Sequence, residues 1–328
     1  MINRQNIVDL PVAIAGISLG FTSISTVWEG LGGFYIRHFS ILFACICIGL
    51  LFMKLLFDPK KVINELKHPV TGSLYFTTTM TLMTISNYLS NYIIGVAKII
   101  WVGAIILHVI MFIAFLIFMS KDFNFEKMVP SWFVPAVGIC VGAVTGKPMG
   151  FESLTKIIFY YAFTWLLILL PILIYRVKFY KAEIPQQAKM TLAIFAAPSS
   201  LCLAAYLGIF EPSKTILTVL VPLAYILTIY LYTLLPKFLE QPFTLGLAPL
   251  TFPLAIGVVA TQRYVTYLTQ IESKWVELIT QVFFIQLIIA TLVIGYVVYK
   301  TFVMSMNSIL RKNESQAFTT NTLSKVQN

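Results

Sequence analysis

Charge is scarce in this chain. Asp, Glu, Lys and Arg make up 11% of its 328 residues against 59% hydrophobic residues, and the mean hydropathy is +0.87. A soluble core of this length could not hide so much apolar surface, so the composition excludes a soluble globular protein and makes the lipid bilayer the partner of the outer surface. Histidine is rarer still. His38, His68 and His108 are the whole supply, and none has a carboxylate at metal-ligand spacing. The four cysteines, Cys45, Cys47, Cys140 and Cys202, all fall inside apolar runs and read as small buried hydrophobes, with no disulfide framework. Gly-x-Ser-x-Gly, Walker-type loops and His-Glu-x-x-His are missing as well. These absences argue against an enzyme, and neither a cofactor nor a metal is expected. A net charge of +10 raises nucleic acid as a partner, but Lys and Arg sit in short loops with no contiguous basic helix. Membrane topology explains them better.

What is present is a succession of long apolar runs. Windows of about 20 residues predict ten spans, at about 11–28, 34–56, 70–88, 92–119, 132–147, 153–176, 189–209, 214–235, 243–263 and 276–300. The first resembles a signal peptide only superficially, because no A-x-A site follows it and many further spans do. The expected fold is therefore an all-α integral membrane protein of ten transmembrane helices paired as five helical hairpins. Residues 1–10 form an N-terminal segment, 11–300 the membrane domain, and 301–328 a polar tail that is disordered from Arg311 onward. With that numbering, 16 Lys and Arg fall on the side of the termini and 7 on the other. The positive-inside bias places both termini in the cytoplasm and the protein in the cell (plasma or inner) membrane.

Odd and even helices are written differently. Each odd helix opens near a proline (Pro11, Pro69, Pro135, Pro198, Pro249), and the odd set carries nine glycines against four in the even set. Gly16 and Gly20 on helix 1, and Gly138, Gly142 and Gly146 on helix 5, recur at i+4 and leave bare stripes. Such stripes serve either close helix packing or an open path. Even helices are bulky and read as lipid-facing. The pattern predicts five inner helices around a central path inside five outer ones. The odd stretches 11–27, 70–88, 132–146, 190–208 and 243–262 contain no Asp, Glu, Lys or Arg, so the path is expected to be neutral. Its polar candidates are Ser18, Thr22, Thr78, Thr81, Ser199 and Thr251, which could solvate an anion weakly or simply satisfy helix carbonyls. Intramembrane His108 suits an interhelical hydrogen bond better than proton handling.

Helix 9 contains the densest signal. Pro249, Pro253, Gly246 and Gly257 bracket one aromatic ring, Phe252. Prolines free carbonyls that hydrocarbon cannot satisfy, so the segment belongs inside the protein. Phe252 is then either a plug in the path or one more packing aromatic among 26 Phe.

Four short runs resemble one family: Lys67-His68-Pro69-Val70, Pro130-Ser131-Trp132-Phe133-Val134-Pro135-Ala136-Val137, Ala197-Pro198-Ser199-Ser200-Leu201-Cys202-Leu203-Ala204-Ala205-Tyr206-Leu207 and Thr251-Phe252-Pro253. The chain is similar to the tellurite-resistance/dicarboxylate transporter family, which includes bacterial TehA, plant guard-cell slow anion channels, and yeast malate and sulfite transporters. That resemblance implies a homotrimer whose subunits each carry a pore of helices 1, 3, 5, 7 and 9 occluded by Phe252. It implies small inorganic or organic anions as the partners. About ten residues precede helix 1 here, so regulation through a long phosphorylated tail, as in the plant members, is not expected. The function expected is passive, gated anion conduction. The alternative is a secondary transporter of C4-dicarboxylate such as malate, of sulfite or of tellurite-related anions; a membrane assembly partner without transport is the weaker third reading.

Overall fold

The computed structural model describes residues 4–326, with side chains through Ser305 except Gln187. Its elements are α1 (Arg4–Val8), α2 (Ala13–Gly30), α3 (Phe34–Phe57), α4 (Pro59–Leu66), α5 (Pro69–Leu74), α6 (Phe76–Leu89), α7 (Ile94–Lys121), α8 (Phe133–Val137), α9 (Cys140–Thr145), α10 (Glu152–Lys178), α11 (Ala196–Ile209), α12 (Lys214–Leu239), α13 (Ala248–Gln270) and α14 (Val276–Val326). No strand occurs among the described residues.

Seven helical stretches are long and apolar enough to cross a membrane: α3, α7, α10, α12, Ala188–Ile209, Leu245–Gln270 and Val276–Ser305. The other three expected spans fall on shorter or broken elements. The first is the 18-residue α2, the second is interrupted at Tyr75 between α5 and α6, and the third is interrupted at Gly138 and Ile139 between α8 and α9. The break at Gly138 has a steric basis. A Cβ there would lie 2.2 Å from the Val134 carbonyl oxygen and 2.8 Å from Met80 Sδ, so only glycine lets the chain turn against α6. At the far end, α14 continues to Val326; Gln327 and Asn328 lie outside the described residues.

Local chemistry sets the helix starts. Asp58 caps α4 by accepting from the Lys61 amide at 2.9 Å, with Pro59 in the first turn. His68 does the same for α5, its Nδ1 accepting from Val70 and Thr71 ahead of Pro69. Three proline-bearing starts are preceded by 3-10 turns, Pro130–Trp132, Gln186–Phe195 and Leu245–Leu247. The tighter winding carries the chain into positions where proline lacks a donor to give. Beside these starts, Lys61 Nζ donates to Asp9 Oδ1 at 2.6 Å, which raises the Lys61 pKa.

Packing separates two kinds of helix. The apolar stretches Ala188–Ile209 and Leu245–Gln270 are 78% buried, whereas those of α3, α7, α10, α12 and α14 are 28–39% buried. All five residues of α8 and twelve of the 18 in α2 are buried too. The less buried helices display Ile99, Ile226 and Leu292 outward, a surface suited to hydrocarbon. Contacts among the buried helices close on themselves: α2 on α6, α6 on α9, α9 on α11, α11 on α13 and α13 on α2. Each also carries the helix that follows it, α3 on α2, α7 on α6, α10 on α9, α12 on α11 and α14 on α13.

The seam between α2 and α13 is the tightest of these. A Cβ on Gly20 would fall 2.4 Å from Thr251 Cβ and 2.6 Å from the Thr251 carbonyl carbon, while one on Gly49 would meet nothing within 4 Å. Gly20→Ala is therefore expected to destabilise the purified protein by about 1–3 kcal/mol through overpacking. Gly49→Ala should stay within about 0.5 kcal/mol of the parent. Thermal unfolding of both variants in detergent checks this, and equal midpoints would contradict the close seam.

Candidate functional site

Two cavities lie inside the closed set of helices, and Phe252 and Leu201 border both. The first, of ≈ 50 Å³, sits among the N-terminal parts of the buried helices. Ala13, Gly16, Leu74, Met80, Phe133 and Ile194 give it an almost wholly apolar wall. An apolar wall of that kind offers water few hydrogen-bond partners. The second, of ≈ 150 Å³, sits among their C-terminal parts and is bordered by Thr22, Ser23, Thr84, Asn87, Gln262 and two arginines, Arg37 and Arg263. It is polar and roomy enough for several waters.

Phe252 reaches the boundary because its neighbour is held elsewhere. Thr251 Oγ1 donates to the Gly16 carbonyl of α2 at 3.0 Å and to Ala248 at 2.8 Å, so residue 251 faces the seam. One residue on, a helix has turned by about 100°, and Phe252, 8% exposed, borders both cavities.

Of the residues singled out by sequence, Gly16, Gly138, Pro198, Pro249, Pro253 and Phe252 border the apolar cavity, and Thr22 borders the polar one. The others border neither. Gly20 and Thr251 form the α2–α13 seam. Gly142 and Gly146 face outward, toward Ile105 of α7 and Ile158 of α10, and toward Thr155 of α10 and Trp101 of α7. Their stripe thus lets outer helices approach. Gly257 faces Thr228 of α12. Pro11 and Pro69 stand at helix starts, and Pro135 lies in α8, where its carbonyl accepts from His108 Nε2 at 3.1 Å. Nδ1 of His108 lies 2.7 Å from Thr79 Oγ1, so the ring ties α7 to α6 and α8. Ser18, Thr78 and Thr81 donate to carbonyls of Ala15, Tyr75 and Thr77. Ser199 Oγ is buried without a partner. Among the described residues no group of three or more His, Cys, Asp or Glu comes together to hold a metal.

Sequence reasoning missed three residues. Leu201, inside an apolar run, carries no signal that separates it from its neighbours. Arg37 belongs to α3, a helix that reads as outer, yet its side chain is 1% exposed and turns inward to donate to the Thr22 carbonyl at 2.7 Å and to Ser25 Oγ at 3.2 Å. Arg263 stands one residue past the uncharged stretch 243–262 and donates to the carbonyls of Ala204 and Val144. The stretches themselves are free of charge, but the cavity they help to line is not neutral. That expectation is corrected, because long arginine side chains reach it from outside those stretches.

Two cavities that share Phe252 and Leu201 in their walls lie among buried helices, enclosed by helices whose outer faces suit lipid. The chain matches the voltage-dependent anion channel family over residues 9–299 and belongs to it. The resemblance carried by the four short runs is thereby borne out. Over 159 residues the chain is also 29% identical to an uncharacterized transporter of Methanocaldococcus jannaschii. That stretch covers 44% of this chain and 46% of the relative, so the match spans about half the length of that protein. The family and the apolar helices together make this a multi-pass membrane protein.

The contrast between the chambers is open to measurement. In a background without the native cysteines, Val144→Cys in the polar chamber should react with a sulfonated methanethiosulfonate at least about ten-fold faster than Ala197→Cys in the apolar one. Reaction needs a hydrated thiolate. Equal rates would contradict a wet and a dry side.

Proposed function

We propose that the protein conducts small anions passively across the membrane and that Phe252 gates the path. The observation that carries this reading is the position of Phe252 on the wall of both chambers. A phenyl ring in a narrow apolar neck excludes water and gives an anion nothing in place of its hydration shell. The basic polar chamber would gather anions on one side, and the dry chamber would extend the barrier on the other. Leu201 completes the neck opposite the ring.

The finer architecture belongs to the same proposal. Ten crossings are formed by five hairpins, with α2, α5–α6, α8–α9, α11 and α13 lining the path and α3, α7, α10, α12 and α14 facing lipid. The 16 to 7 distribution of Lys and Arg supports cytoplasmic termini and a cytoplasmic tail, which puts the apolar chamber on the cytoplasmic side and the basic one outside. A homotrimer rests on family resemblance alone. Coupled transport, the alternative, ordinarily needs a group on the path whose charge changes. Among the described residues no Asp, Glu or His borders either chamber, which favours passive flux.

Phe252→Ala is expected to raise anion current per folded protein in liposomes by at least about ten-fold, equivalent to ~1.4 kcal/mol off the barrier. Phe252→Leu, still bulky and apolar, should raise it less. If the ring only packs, Phe252→Ala leaves a cavity costing about 3–5 kcal/mol, and protein is lost with no gain in current per molecule. Current that follows the anion gradient with the proton gradient collapsed supports the passive reading, and strict dependence on a proton gradient would replace it with coupled transport.

A further inference from the structure

The geometry points to a discrete binding site for a small planar oxoanion, of the carboxylate type, in the polar chamber, with Arg263 as its cation. This deepens the conduction reading and rests on it. Arg263 is half-buried and makes two hydrogen bonds, to the carbonyls of Ala204 at 2.5 Å and Val144 at 3.1 Å. None of the ion pairs among the described residues involves it. Carbonyl dipoles satisfy two N–H groups but supply no countercharge. A desolvated cation without one is costly, and a bound anion removes that cost.

Its neighbours in the chamber sharpen the assignment. Arg37 is already balanced, its Nε standing 3.4 Å from Glu29 Oε2, so the chamber's uncompensated charge is that of Arg263. The hydroxyls are spent: Thr22, Ser23, Thr26 and Thr84 each donate to a carbonyl of their own helix, leaving lone pairs toward the cavity. Donors remain on Arg263, which has three N–H groups beyond those used, on the Glu29-paired Arg37, which hydrogen-bonds only through Nη1, and on two amides. Asn87 Nδ2 gives one hydrogen to the Thr145 carbonyl and keeps the other, and Gln262 borders the same space. A cation whose donors form a planar fork, assisted by amides and not by hydroxyls, suits an anion with two coplanar oxygens better than a spherical halide.

Gly208 makes the arrangement possible. A Cβ there would lie 2.3 Å from Arg263 Nη1. Alanine would push the guanidinium out of its carbonyl cradle while leaving the charge in place.

Thermal unfolding of purified full-length protein in detergent, titrated with sodium formate or sodium chloride, tests the site without any flux. The unfolding midpoint should rise saturably with formate and reach half its rise at a lower concentration than with chloride. Arg263→Gln should lose the saturable rise. Arg263→Lys should keep a rise but lose the preference for formate, and Gly208→Ala should move the half-rise to higher formate. A formate titration in Arg263→Gln identical to the parent's would overturn the site. If that variant does not fold, parental behaviour of both Arg263→Lys and Gly208→Ala would overturn it. Current through Phe252→Ala without any saturable formate rise removes the site and leaves conduction standing; an Arg263-dependent rise without current supports the site and removes conduction.

Discussion

Everything in the interior depends on how closely α13 approaches α2. Gly20 has no Cβ, Thr251 occupies the space a side chain there would fill, and the Thr251 hydroxyl donates to the carbonyl of Gly16. That contact sets the rotation of α13. It commits the ring of the next residue to the centre and the flanking prolines to the wall of the apolar chamber. Pro253 has no N–H, so the carbonyl of Pro249 lacks its usual donor one turn on; such a segment is tolerated only because it is surrounded by protein. The seam and the walls of the two cavities are one packing solution.

On the proposed reading, the two chambers divide the work that an anion path must do. Attraction is concentrated where Arg37 and Arg263 stand, and exclusion where only apolar side chains and small residues line the space. An anion in the polar chamber trades water for fixed donors at modest loss. At the neck of Phe252 and Leu201 it has nothing to trade for. On that reading the barrier is one of dehydration, and it would fall if the ring moved by about the width of a water molecule.

Much of this was legible in the chain. Composition alone requires lipid, and the small, proline-headed stretches are the buried ones: Ala188–Ile209 and Leu245–Gln270 are twice as buried as α3 or α7. What stayed hidden has physical causes. Periodicity places Gly138, Gly142 and Gly146 on one face but cannot say which neighbour that face meets, and the break at Gly138–Ile139 splits the stripe, sending Gly142 and Gly146 against α7 and α10. Hydroxyl count does not reveal where the hydrogens point. Thr22 looks like an anion ligand until its bond to a helix carbonyl is seen. Arginine was discounted because it lay outside the neutral stretches, yet its length brings Arg37 and Arg263 back to the chamber those stretches enclose.

The central claim is that a ring at position 252 closes the path, and the most direct test adds and removes that ring in one folded sample. In a background without native cysteines, Phe252→Cys in liposomes should conduct anions. Attaching a benzyl group with benzyl methanethiosulfonate should abolish the current, and reduction should restore it. Current indifferent to both steps, with the modification confirmed by mass, would contradict the account.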